Sequence, residues 1–409
     1  MLKTLVLAVS LAAGSAQPPE TGTLVAAASD PAVRHIYSVQ TAAVTVPAPR
    51  LTKAFAKLYG RADQQAAAGR IPADRTSKLK WVLRTALGDV ERYVRPAKPY
   101  RKQPMTAVNS CTGWWVTPQG HMVTAASCLG YDGATLRAFA VAEVLAPIVS
   151  RGDGQAFLKA AKISKPDEGL AKLAQGLFQA FNAQHLKVSG VRSTMLLEQP
   201  TGKARPDLKP LSVLARGEEF PGVDFALLKL KGARNLPTIR LGDDAGVRIG
   251  DRLYVNGYPR TLVDSATFSD RSRMRPLLTE GPMNGRRVTA SGVPYLQTQA
   301  PSYAGNTGGP VLTADGRAAG MTVAVLSDPL LGEQTETLGM VLPASLIKQR
   351  LGAAGVRPVW SETSRVYRAG LGDYFAGRHQ AALAKFRRVL ALDPGHLYVR
   401  EYLKAAKAR

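Results

Sequence analysis

The chain has 409 residues, is 45% hydrophobic and carries a formal net charge of +24. That length gives room for two or three domains with a large buried core, and the composition excludes an intrinsically disordered chain. The charge favours polyanionic partners such as an anionic cell wall or membrane surface, but Lys and Arg are scattered singly, with no motif or aromatic pattern that reads a specific nucleic acid.

The chain opens with Met1-Leu-Lys3, the apolar run Leu5 to Ala13 and the small residues Gly14-Ser15-Ala16. This predicts a secretory signal peptide over 1–16, or an uncleaved anchor of the same residues, and therefore a secreted or cell-envelope location. No later apolar run approaches ~20 residues, so no further membrane span is expected. Residues 17–35 read as a loose leader. Thr41-Ala-Ala-Val-Thr-Val46 reads as the first strand. In Ser77 to Tyr93, Trp81, Val82, Leu83, Leu87, Val90 and Tyr93 recur at helical spacing, which predicts a helical insertion over about 50–105. Its end, Arg95 to Pro104, reads as an exposed return linker.

Ser110 to Cys128 contains two apolar runs joined by Thr117-Pro-Gln-Gly120, the pattern of a hairpin. It also holds both cysteines of the chain, and an even number in an exported protein suggests one disulfide. Over 134–185, Leu136, Phe139, Ala140 and Val144, then Leu170, Leu173, Leu177 and Phe181, predict a second helical insertion. Strand-like runs follow at Leu211 to Ala215, Pro221 to Leu230, Ile249 to Pro259, Arg286 to Ala290 and Ala318 to Ala324. From 363 to 409 the pattern is helical. Gly370, Gly377, Ala382, Phe386 and Pro394 fall at the spacing of one tetratricopeptide repeat. A single repeat cannot bury its own apolar face, so this one must pack on the rest of the chain or on a protein partner.

Three stretches carry the chemistry. The turn Pro301-Ser-Tyr-Ala-Gly-Asn-Thr-Gly-Gly-Pro310 precedes the apolar Val311-Leu312; the hairpin ends in Thr124-Ala-Ala-Ser-Cys128; and Asp224-Phe-Ala-Leu-Leu228 opens a strand. Together they resemble the trypsin-like serine proteases, closest to the HtrA/Deg-like branch, over about 36–352. The resemblance implies a mainly β fold: a trypsin-like double β-barrel interrupted by the two helical insertions and followed by a helical, tetratricopeptide-like tail. It also implies a Cys111–Cys128 disulfide, Asp224 as triad aspartate, and an oxyanion hole from the amides of Gly305 and Thr307.

Two positions depart from the family pattern. Ser127 stands where the catalytic histidine belongs, and Thr307 where the nucleophilic serine belongs. A serine hydroxyl cannot take and return a proton as an imidazole does. Thr307 adds a Cβ methyl in a crowded turn. Of the other histidines, His121 lies on a strand roughly 20 Å along the chain from Ser127, and His185, at the foot of the second insertion, reads as a structural, solvent-facing residue, with a replacement base as the alternative if that insertion folds over the cleft. Gln299 occupies the base of the specificity pocket, and with Tyr303 and Asn306 is assigned to peptide binding. No metal-ligating set or cofactor motif is present. The expected function is a pseudoprotease that binds a peptide or unfolded protein segment. The alternatives are an active endopeptidase with a rearranged base and a basic polyanion or cell-wall binder.

Overall fold

The computed structural model describes residues 20–199, 207–326 and 338–408; the expected signal peptide lies outside them. By internal contacts the chain divides into two compact units. One comprises the chain up to Tyr37, Ser110–Leu129 and everything from Met195; the other comprises Ser38–Asn109 and Gly130–Thr194.

Among the described residues, twelve strands form two sheets. The first contains β1 (Val33–Leu51), β2 (Val94–Trp115), β3 (His121–Thr124), β4 (Lys187–Gln199), β5 (Asp207–Arg216) and β6 (Ala226–Lys229), in the order β1-β2-β3-β6-β5-β4. The second contains β7 (Arg252–Gly257), β8 (Leu277–Val288), β9 (Pro294–Thr298), β10 (Pro310–Leu312), β11 (Ala318–Leu326) and β12 (Leu338–Pro343). There β10 pairs with both β7 and β11, which closes the sheet into a barrel. The hairpin read from the sequence is β2–β3, with Trp114 opposite Val123. Trp114, Trp115, Met122 and Phe225 are fully buried in the core of the first barrel. Leu253, Val255, Leu296, Val311 and Val341 fill the second. Register positions the site: Thr124, the last residue of β3, pairs with Ala226, the first of β6. The residues just beyond β3 and just before β6 are thereby brought together.

The second unit holds both helical insertions. Helices α2 (Lys53–Ala67), α3 (Arg75–Leu87), α4 (Gly133–Ala160) and α5 (Glu168–His185) follow the predicted periodicity. Thr52, Asp74, Asp132 and Asp167 cap their first turns by accepting backbone N–H bonds at 2.7–3.2 Å. The two insertions share one core, in which Phe55, Leu79, Leu83 and Phe157 meet Leu170, Leu177 and Phe181. Among the described residues α4 is long and apolar enough to cross a membrane by length and composition, which the sequence reading did not anticipate. Its Leu136, Ala140, Leu145 and Leu158 are buried within this unit, while Ile148 is exposed.

Three expectations are corrected. Residues Arg95 to Pro104 are part of the long strand β2 and not a linker; their prolines and basic residues were misread because strand pairing can tolerate them at exposed positions. Among the described residues helical ones outnumber strand ones, so the mainly β expectation holds only in part, for the two six-stranded sheets. The segment read as a loose leader contains α1 (Thr21–Ser29), and β1 begins at Val33. Asn256 explains part of that order, donating to Ser29 Oγ at 2.8 Å and to Asp30 Oδ1 at 2.9 Å.

After α6 (Ala344–Ala353) come α7 (Glu362–Phe375), α8 (His379–Leu392) and α9 (Val399–Lys407). Gly370 is needed where α7 meets α8, since a Cβ there would lie 2.7 Å from the Phe386 ring. These helices are tied to the rest of the first unit by polar bonds. Thr238 N–H donates to Ser364 Oγ at 2.7 Å, and Ser361 N–H donates to Thr238 Oγ1 at 2.8 Å. Arg275 makes a two-pronged contact with Glu401.

Two predictions follow from this packing. Cys111 and Cys128 are bonded, with Cα atoms 5.9 Å apart and a sequence separation of 17. Replacing both by Ala should lower unfolding free energy by about 3 kcal/mol in denaturant titration; a loss under ~0.5 kcal/mol would show that the bridge does not constrain the unfolded chain. The second concerns His396, which is buried against Tyr367. Burial, with a smaller contribution from Arg34, pushes its imidazole from 6.5 down to about 3. The unfolded chain binds the extra proton below 6.5, so this residue's contribution to stability falls as pH drops from about 6.5 towards 3. Asp30, pushed up to about 7 by burial, runs the opposite way over that range. The difference between wild type and His396→Asn isolates the histidine: the variant should lose less stability on acidification from pH 6.5 to 4. Parallel stability curves would contradict the assignment.

Candidate active site

The turn between β9 and β10 brings the altered nucleophile position beside the disulfide-bearing hairpin. Gly305 (φ +99°) and Gly308 (φ +86°) adopt backbone conformations that side chains rarely take. A Cβ at Gly305 would lie 2.3 Å from the Tyr258 carbonyl oxygen, and one at Gly308 2.2 Å from that of Thr112. Gly308 N–H donates to Thr322 O at 2.8 Å and Gly309 N–H to Asn306 O at 2.8 Å. Among the described residues, the amides of Gly305 and Thr307 donate to no protein acceptor. They are the two amides that an oxyanion hole would use.

Thr112, one residue after Cys111, fixes this turn to the hairpin. Its N–H donates to Thr307 O at 2.9 Å, its hydroxyl donates to Gly305 O at 2.8 Å, and the same oxygen accepts from Tyr258 N–H at 2.9 Å. Thr124 Oγ1 in turn donates to Thr112 O at 2.8 Å. Sequence reasoning missed Thr112. The only signal was one buried hydroxyl in an otherwise apolar run.

Ser127 and Asp224 meet because of the β3–β6 register. Ser127 N–H donates to Asp224 Oδ1 at 2.9 Å and Ser127 Oγ–H to Oδ2 at 3.0 Å. Asp224 is completely buried. Burial raises its pKa, and the two bonds from Ser127 oppose that rise. Both oxygens of the carboxylate that would orient an imidazole therefore face a serine. Thr307 itself is half-buried.

None of the four histidines in the first unit is hydrogen-bonded to Thr307. His185, in the second unit and read from the sequence as structural with a replacement base as the alternative, has Nδ1 3.0 Å from Phe181 O and its ring stacked on Phe181 at 4.6 Å. His121 Nδ1 lies 2.8 Å from Thr117 Oγ1. His379 packs edge-on to Tyr374, and His396 is enclosed by the C-terminal helices. His35 is held by Glu198 and Ser110.

The three residues assigned to peptide contact separate. Gln299 and Tyr303 are exposed. Asn306 is fully buried with both side-chain polar atoms unpaired, so it faces the interior and the assignment to peptide contact is corrected there. Its position packs under Gly257, where a Cβ would approach Asn306 Oδ1 to 3.1 Å. Among the described residues, no group of three or more His, Cys, Asp or Glu side chains is arranged to hold a metal ion.

Comparison with known proteins gives the same picture. A relative in Arabidopsis thaliana, "Putative protease Do-like 14", is 30% identical over 131 residues, 30% of this chain and 28% of its own length. "Serine protease HTRA2, mitochondrial" of Bos taurus is 27% identical over 153 residues, 37% of this chain and 30% of its own length. "Probable periplasmic serine endoprotease DegP-like" of Pseudomonas putida is 33% identical over 104 residues, 25% of this chain and 19% of its own length. The chain thus spans less than a third of each of these relatives. The solved structure "HtrA-type protease AlgW with decapeptide" superposes with a TM-score of 0.40 at 14% identity, over 81% of this chain and 67% of that one. The model of the trypsin-like peptidase domain matches residues 111–321, more than half of the sequence and all three triad positions. The chain belongs to the trypsin-like peptidase domain family.

Proposed function

We propose that this protein is a pseudoprotease: a trypsin-like domain that binds a peptide or unfolded protein segment without cutting it. One observation carries the reading. Asp224 is satisfied on both oxygens by Ser127, in the place where a working triad has an imidazole. Acyl transfer needs a group that accepts the nucleophile's proton and returns it to the leaving amine. A serine hydroxyl, with a pKa far above neutrality, does neither. Loss of the base alone costs on the order of 10⁶ in turnover. Thr307 adds a Cβ methyl that stiffens χ1 of the hydroxyl-bearing side chain.

What remains suits binding. The unpaired amides of Gly305 and Thr307 can hold a carbonyl oxygen, and Gln299 and Tyr303 offer an exposed, uncharged contact surface. The C-terminal helices, read as one tetratricopeptide-like repeat, provide a surface for a protein partner. Export to the cell envelope is supported by the N-terminal pattern of residues 1–16, and relatives named as periplasmic agree with it. The charge of +24 would hold such a protein near anionic surfaces.

Reactivation tests the reading. Hydrolysis of a small apolar peptide anilide is measured for wild type, Ser127→His, Thr307→Ser and the double variant. The expected result is silence from the first three and turnover from the double variant well above the sum of the singles, because triad members act as a unit. Turnover by wild type that falls in Ser127→His would contradict the proposal and reveal another base.

A further inference from the structure

His35, Ser110 and Glu198 come from three strands, β1, β2 and β4, and belong to the same compact unit. They are 3%, 8% and 9% exposed. His35 Nε2 lies 2.7 Å from Ser110 Oγ, and His35 Nδ1 is hydrogen-bonded to Glu198 Oε2. Tyr37 donates its hydroxyl to the same carboxylate oxygen at 3.2 Å. The imidazole is also clamped by rings: Tyr37 packs edge-on at 4.3 Å between centroids, and Tyr258 stacks at 5.2 Å and 26°. None of these residues belongs to the degenerate triad.

The bonding order is a chemical statement. In the tautomer that directs Nδ1–H at Glu198, Nε2 presents a lone pair to Ser110 Oγ–H. Hydroxyl, imidazole and carboxylate thus stand in the sequence that activates a serine in unrelated hydrolases. Position adds to this. Thr112, two residues along β2, holds the Thr307 carbonyl, and Tyr258, whose N–H binds Thr112 Oγ1, is the ring stacked on His35. The constellation therefore adjoins the turn that carries position 307.

We propose that Ser110 is an activated nucleophile, with His35 as its base and Glu198 as the carboxylate that orients the imidazole, and that it reacts with small activated acyl esters. Ser110 Oγ attacks the ester carbonyl carbon while its proton passes to His35 Nε2. The tetrahedral adduct collapses, the C–O bond to the alcohol breaks, and the departing alkoxide takes the proton back from Nε2. Water then attacks the acyl-enzyme with His35 again as base, releasing the carboxylic acid and restoring Ser110. The unpaired amides of Gly305 and Thr307 serve position 307, so the substrates assigned to Ser110 are esters with good leaving groups and not peptide bonds.

The test uses the folded full-length protein and a small alkyl fluorophosphonate, which forms a stable bond with an activated serine and releases fluoride. The modified residue is identified by peptide mass spectrometry. The expected result is an adduct on Ser110, absent from Ser110→Ala and formed at least 100-fold more slowly in His35→Gln, the smaller end of what a positioned base supplies. Glu198→Gln should slow labelling at least tenfold and takes the place of the histidine variant if that one does not fold. An unmodified Ser110 peptide in folded wild type, under conditions that saturate an active serine hydrolase, would overturn the proposal. So would equal labelling rates in wild type and a folded His35→Gln protein. An adduct on Thr307 would contradict the pseudoprotease reading, and the Ser110 peptide in the same digest would still decide this one.

Discussion

A carboxylate sealed from water must be given hydrogen bonds or lose its charge, and Ser127 gives Asp224 one bond at each oxygen, from its N–H and from its hydroxyl, with the backbone of Phe220 and Ala126 adding to them. Bonds to a charged group contribute about 1.5–3 kcal/mol each. That gives Ser127 a structural reason to be where it is. A triad carboxylate orients an imidazole; here Asp224 holds a small hydroxyl that does not titrate near neutrality. The two bonds keep the buried acid satisfied at the β3–β6 junction. Thr112 supplies the complementary constraint from the other side, holding the carbonyls of Gly305 and Thr307.

Much of this was legible in the sequence because it resides in short, contiguous patterns. The glycines at 305 and 308 announce a turn that only glycine can make, and the Cys111 to Cys128 hairpin carries its own register. Asp224 precedes an apolar run that can only be a buried strand. The amphipathic spacing of Leu79, Leu83, Leu170 and Phe181 gave the inserted helices. What stayed hidden depends on pairs far apart in the chain. Nothing local says that the hydroxyl of Thr112 will meet the Gly305 carbonyl, or that His35 will lie between Ser110 and Glu198, which stand 75 and 163 residues away. Asn306 misled for a related reason: it sits in a loop, where polar residues are usually exposed, yet it is fully buried.

The misjudged segments share a cause as well. Proline and basic residues between Arg95 and Pro104 suggested a linker, and small residues between 17 and 35 suggested a loose leader. Composition outweighed context in both. Strand β2 continues through the first, and Asn256 captures the end of α1 in the second. The helices after α6 show the same dependence on tertiary bonds. Ser361, Thr363 and Ser364 are ordinary N-terminal helix residues by sequence, yet Thr363 Oγ1 donates to Asn235 O and Ser364 Oγ to Thr238 O, at 2.7 and 2.9 Å.

The central claim is that a trypsin-like domain here has kept its peptide-receiving turn and lost its peptide-cutting chemistry. The most direct measurement follows unfolded casein incubated with the folded protein, counting new α-amino groups over many hours while binding of casein fragments is measured in parallel. The account predicts saturable binding and no new amines above a protein-free control. New amines that appear with wild type and vanish in Thr307→Ala would contradict it.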